Sequence, residues 1–195
     1  MKPIYALSEL DLKKQYTYAD YINWWFDDRV ELIKGYIRKM SPGASRTHQT
    51  ISTNIITEFA LFLKHRKCKV FHAPFDVRLL RNTNDHEVTT VVQPDICIVC
   101  NEEYLEENGC NGAPTIIIEI LSTSNSKHDL VTKFKLYEEA KVGEYWIVYP
   151  YEKVLDVYHL QGDNYALFKK YVEDELIDVK SLAGLTISLK DIFEI

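Results

Sequence analysis

The sequence predicts an α/β fold in which a mixed β-sheet is flanked by helices. Three observations carry that reading. Two runs rich in β-branched residues, Val91–Val99 and Thr115–Leu121, read as strands covered on both faces. Ahead of them His48, Ile51, Ile55, Phe59 and Phe62 recur at steps of three and four, the buried stripe of a long helix. After them a second helix begins near Lys127 and further strands follow, an order that lays helices on a sheet.

At 195 residues the chain is expected to form a single domain over residues 1–195, with no repeat, low-complexity tract or Pro/Gly/Ser linker. Thr17 is the expected N-cap, with Asp20 three residues later, of a short aromatic helix through Trp24, Trp25 and Phe26. Val30–Met40 reads as a hairpin turning near Lys34-Gly35, and the long helix starts after Ser41-Pro42-Gly43. One strand is expected from about Lys69 to Leu80, then a polar loop over Asn82–Glu87. Beyond the crossover helix, Glu144–Val148 and Val154–Tyr158 are strands and Gln161–Asn164 has the composition of a hairpin turn. A strand near Leu185–Leu189 and a helical turn close the chain.

Composition excludes several roles. No run of about 18 apolar residues occurs, so no membrane span is expected. Met1-Lys2-Pro3-Ile4-Tyr5 lacks the apolar core of a signal peptide, which points to a cytoplasmic location. A net charge of −6 argues against a protein that coats nucleic acid indiscriminately, although a local basic surface is enough for a nuclease. Lys64, His65, Arg66, Lys67 and Lys69 form one basic cluster, for which a solvated helix end is the commoner explanation. Cys97 and Cys100 are spaced as C-x-x-C, but an odd separation on a strand sends the sulfurs to opposite faces. Cys68 and Cys110 supply no second zinc-type pair, so ordinary thiols are expected.

The chemistry lies in charges placed where apolar residues belong. Asp95 and Glu119 each stand alone among β-branched residues, and burying an unpaired carboxylate costs several kcal/mol. On the following helix Leu130, Phe134, Leu136, Tyr137 and Ala140 define an apolar arc, and Lys133 falls inside it. Asp129 lies on the same side one turn earlier, whereas Lys127, Lys135, Glu138 and Glu139 project elsewhere. One reading makes Asp129 and Lys133 an i,i+4 pair worth about 0.3–0.5 kcal/mol, with Asp95 capping a turn after Pro94. The other makes Asp95 and Glu119 oxygen ligands of Mg²⁺, with Lys133 beside the bound water. Two carboxylates about 4 Å apart repel by roughly 4 kcal/mol at an effective dielectric near 20, and a hard divalent cation turns that repulsion into attraction.

The order Glu31…Gly35…Met40-Ser41-Pro42…His48, then Gln93-Pro94-Asp95, Ile118-Glu119-Ile120-Leu121-Ser122, Asp129…Lys133…Tyr137 and Val142-Gly143-Glu144-Tyr145-Trp146-Ile147-Val148, resembles a known pattern. It is similar to the Uma family of restriction-endonuclease-like proteins, a branch of the PD-(D/E)XK nuclease superfamily, from about Thr17 to Ile195. The resemblance implies a restriction-endonuclease-like core, a homodimer, and hydrolysis of phosphodiester bonds in DNA with Mg²⁺ or Mn²⁺. Asp95 and Glu119 match the acidic positions, and the Ile120 carbonyl is the implied third metal ligand. Leu121 stands where the superfamily's lysine would be, and Lys133 fits the place of a lysine relocated to the neighbouring helix. Glu31 resembles an additional acid that holds the metal through water. His48, Gln93, Ser122 and Asp129 are auxiliary candidates. Tyr149 departs from the family, which commonly has an aspartate before that proline. Two alternatives stand beside this reading: a nuclease fold that binds nucleic acid or protein without cutting, and an interaction domain whose Trp24, Trp25, Tyr145 and Trp146 serve packing.

Overall fold

A computed structural model of the chain describes residues 2–40, 43–122, 127–172 and 174–194, with the backbone alone described at 127–129. Thr17 opens α1 (Tyr18–Tyr21), and the Asp20 carboxylate accepts its backbone N–H at 2.8 Å. The helix stops after one turn. Trp24 and Phe26 therefore lie beyond it and pack as loop aromatics, with Trp24 edge-on to Tyr16.

β1 (Val30–Ile33) and β2 (Tyr36–Lys39) form the expected hairpin. Lys34 and Gly35 both take positive φ, 49° and 87°, as a two-residue turn between right-twisted strands requires. α2 (Arg46–Leu63) is capped by the Ser45 hydroxyl, which accepts the His48 N–H, and it buries Ile51, Ile55, Phe59 and Leu63.

The strand expected from Lys69 to Leu80 is two strands, β3 (Lys69–His72) and β4 (Val77–Arg78). The run Val91–Val99 likewise divides into β5 (Val91–Val92) and β6 (Ile96–Val99). A proline lies in each break, Pro74 and Pro94, and a proline cannot donate to a β-ladder. Each break carries the chain from one sheet to another, and Asp95 sits in the second, outside any strand.

β7 (Leu105–Glu106) and β8 (Gly109–Asn111) form a small hairpin that the sequence did not announce. β9 (Ile116–Ile120), α3 (Lys127–Glu139) and β10 (Glu144–Tyr149) are a parallel strand pair with a crossover helix. β11 (Val154–Gln161), β12 (Asn164–Val172), β13 (Leu176–Asp178), β14 (Thr186–Ser188) and α4 (Leu189–Ile192) complete the described chain.

The expected mixed sheet is thus two six-stranded sheets and a final two-stranded pair. The first sheet runs β2-β1-β5-β4-β8-β7 and the second β12-β11-β10-β9-β6-β3. Alternation along β9 sets the two sides of the second sheet. Ile116, Ile118 and Ile120 pack with Ile55 and Phe59 of α2, while Ile117 packs with Leu136 and Tyr137 of α3. No helix among the described residues is long and apolar enough to cross a membrane.

The cysteine expectation needs correction. Cys68 and Cys100 form a disulfide, because each lies one step beyond the paired residues Lys69 and Val99 and so faces the other across β3 and β6. Cys97 and Cys110 are free and buried, and burial pushes the Cys110 thiol up to about 12.

Candidate active site

Three elements deliver charge to one place. β1 of the first sheet brings Glu31, β9 of the second brings Glu119, and α3 lays Lys133 between them. The Lys133 ammonium lies 3.0 Å from an oxygen of Glu31 and 3.0 Å from one of Glu119. Both carboxylates are almost wholly buried. Burial opposes a charged lysine, but the two acids outweigh it and hold the Lys133 pKa well above its usual value. Burial pushes the Glu119 carboxyl up, against the pull of Lys133. The lysine therefore engages partners across the fold. The Asp129 side chain lies outside the described residues.

Each acid is oriented by further donors. The Gln93 backbone N–H donates to Glu31 Oε1 at 3.0 Å, and the Tyr137 hydroxyl donates to Glu119 Oε1 at 2.6 Å. Asp95 Oδ2 accepts the Ile120 N–H at 2.8 Å, which ties the link between β5 and β6 to the end of β9. His48, in the first turn of α2, places Nε2 3.2 Å from the same oxygen. Burial alone would lower the His48 pKa, but Asp95, Glu119 and the nearby Ile120 carbonyl outweigh it and raise it. Asp95 therefore does not cap a local turn; its partners come from α2 and β9.

Glu31, His48, Asp95, Glu119, Ile120 and Lys133 line one cleft of about 470 Å³, together with Ser122, Arg29, Arg38 and Lys39. Gln93 also borders it, but its side chain turns toward Asp76, Tyr21 and Arg29, so only its backbone serves the acids. Tyr149 packs near Lys170, while Pro150 and Tyr151 after it reach the cleft.

Sequence reasoning missed two contributors. Tyr137 was placed in the apolar arc of α3, yet its hydroxyl is the shortest donor to Glu119; its spacing of four from Lys133 was the available signal. Tyr145 reads in the sequence as packing, and its ring does pack, but the residue borders the cleft and its buried hydroxyl has no hydrogen-bond partner among the described residues. His48 Nδ1 is in the same state. Unpaired buried polar atoms at a cleft call for water or a ligand.

A divalent cation needs oxygen donors that are free to turn toward it. Among the described residues no three His, Cys, Asp or Glu side chains are spaced to hold an ion by themselves. Asp95 Oδ1 and Glu119 Oε2, however, have no hydrogen-bond donor among the described residues, and both acids border the cleft. One uncommitted oxygen from each of two carboxylates, a backbone carbonyl at Ile120 and room for water suit Mg²⁺, which keeps several waters and takes one or two carboxylates. The residues fit the ion.

Comparisons with known proteins bear on the family and the fold. The chain is 25% identical over 177 residues to an uncharacterised protein of Synechocystis sp., covering 89% of both chains. Its fold matches the crystal structure of a protein from Anabaena variabilis described as a "putative nuclease belonging to DUF820", with a TM-score of 0.66 and 23% identity over 91% of this chain and 97% of that one. The model of the family described as "Uma2: Putative restriction endonuclease" matches residues 19–190. The chain therefore belongs to the Uma2 family.

Proposed function

We propose that the chain is a metal-dependent endonuclease that hydrolyses phosphodiester bonds in DNA. The observation that carries this reading is the convergence of Asp95, Glu119 and Lys133 on one cleft, with an oxygen on each acid that has no donor among the described residues. Asp95, Glu119 and the Ile120 carbonyl would hold Mg²⁺ or Mn²⁺. When bound, the ion lowers the pKa of its water and offsets charge on the phosphoryl oxygens.

The residues have separable tasks. Lys133, kept charged by two acids, orients the attacking water and stabilises negative charge in the transition state. It is a poor base for the same reason. Tyr137 fixes which oxygen of Glu119 faces the lysine and leaves the other without a donor among the described residues. Glu31 anchors Lys133 from the opposite sheet, and a water held by Glu31 is part of the reading. His48 steadies Asp95. A second copy of the chain belongs to the proposal as well, and light scattering of the purified protein checks it.

The test is nicking of supercoiled plasmid with Mg²⁺, Mn²⁺ or EDTA. Metal-dependent nicking is expected from the wild-type chain and none from Asp95→Ala or Glu119→Gln. Equal nicking by wild type and both variants would point to a contaminant and remove the assignment.

A further inference from the structure

The cleft has a rim of cations that no carboxylate among the described residues neutralises. Arg29, Arg38 and Lys39 all border it and are exposed, and none forms an ion pair with a carboxylate among the described residues. Their neighbours are different. Lys34 pairs with Glu139, Arg78 with Asp85 and Glu106, Arg81 with Glu103, and Lys133 with Glu31 and Glu119.

The hairpin geometry explains why Arg38 and Arg29 are left over, while Lys39, the last residue of β2, borders the cleft at the strand's end. Arg38 is the register partner of Glu31 across β1 and β2, so both side chains stand on the same face. Glu31 is already committed to the Gln93 N–H and to Lys133, and Arg38 makes no bond to it. Arg29 lies two residues before Glu31 and projects to the same side. It gives one N–H to Gln93 Oε1 at 3.0 Å, out of the five a guanidinium carries. A chain with a net charge of −6 thus gathers, beside its buried acids, cations that have no carboxylate partner among the described residues.

We propose that the β1–β2 hairpin is a phosphate clamp: Arg29, Arg38 and Lys39 grip the nucleic-acid backbone next to the phosphate that sits over Asp95 and Glu119. The inference rests on the nuclease reading, to which it adds the surface that holds the substrate. The clamp offsets the repulsion between a polyanion and the acids of the cleft, and Arg suits phosphate because its planar fork binds two oxygens at once. These residues bind and position the strand; the bond-breaking groups are those below them. The basic cluster around Lys64 and Lys67 cannot serve the same phosphate. It follows the C-terminal end of α2, whose 18 residues span about 27 Å from the His48 end that borders the cleft.

The experiment compares Arg38→Gln/Lys39→Gln with Lys64→Gln/Lys67→Gln, which removes the same charge elsewhere. Arg29 is left intact because it also holds Gln93. Binding of a fluorescein-labelled DNA duplex of about 20 base pairs is followed by anisotropy in EDTA over a salt series, where each lost phosphate contact lowers the log–log salt slope by about 0.9. The hairpin variant is expected to bind at least about 10-fold more weakly, with a slope shallower by about 2, while the cluster variant stays within about 2-fold of wild type. In plasmid nicking the hairpin variant is expected to raise KM and leave kcat nearly unchanged. Equal losses in the two variants, an unchanged hairpin variant, or no duplex binding by the wild-type chain in EDTA or Mg²⁺ would each overturn the clamp. Nicking with an unaltered KM would remove the clamp alone. Clamp-dependent binding without nicking in any metal would remove the nuclease reading and leave a nucleic-acid-binding surface.

Discussion

Tyr137 is the residue where structure and chemistry are hardest to separate. Its hydroxyl meets a buried carboxylate at 2.6 Å, and burial pushes its own pKa far up, so it stays a neutral donor. Tyr137→Phe keeps the ring among Leu136 and Tyr145 and deletes the donor. A hydrogen bond to a charged group is worth about 1.5–3 kcal/mol. We expect a stability loss of that size in urea denaturation and, on the nuclease reading, a fall in nicking rate of about 10-fold, since Glu119 loses the group that selects its inward oxygen. At this scale much of the site was legible. Asp95 and Glu119 stood out as acids among β-branched residues, and Lys133 as a cation on an apolar arc, because burial is costly enough to make such residues conspicuous. Tyr137 and Tyr145 were illegible for the opposite reason: an aromatic ring satisfies the apolar pattern whether or not its hydroxyl is engaged.

Elements carry a second lesson in β10, where Glu144 is fully buried. It accepts the Trp146 indole N–H at 2.7 Å and the Ser181 backbone N–H at 3.0 Å, which fastens the segment between β13 and β14 to the second sheet. Glu144→Ala would strand both donors in the interior. A cost of about 2–4 kcal/mol is expected, read as a lower denaturant midpoint, with protease cleavage appearing first in the C-terminal segment. On the same side of that sheet Phe59 of α2 packs against Trp146, and Phe59→Ala should cost about 3–5 kcal/mol through the cavity it leaves, again by denaturation. The α2 stripe and the first hairpin were readable because periodicity and turn chemistry are local signals. The broken strands were not. A run such as Val91–Val99 keeps its β-branched character on both sides of Pro94, so composition records two strands as one, and only long-range pairing shows that the halves serve different sheets.

For the molecule as a whole, the disulfide between Cys68 and Cys100 closes a loop with a sequence separation of 32 and joins the segment after α2 to the end of β6. Loop-closure entropy assigns such a link about 3–4 kcal/mol. Reduction, or Cys68→Ser, is expected to lower stability by roughly that amount and to leave the cleft intact, because the bridge lies at the far end of β6 from Asp95; circular dichroism with and without reductant measures it. The two-sheet plan has a further consequence for how this protein can be tested. Lys133 is a keystone: Glu31 descends from one sheet and Glu119 from the other, and the lysine is the only described side chain that hydrogen-bonds or pairs with both. Remove it, and two anions from opposite walls confront each other, so the walls part or a proton arrives to replace the missing charge. An inactive Lys133→Ala protein would then report a sprung joint as readily as a missing catalyst. Arginine at this position separates the two, since it can still brace the arch while placing its charge differently. A Lys133→Arg protein that melts like wild type yet fails to nick plasmid would assign the lysine to chemistry, and one that regains both would assign it to the masonry.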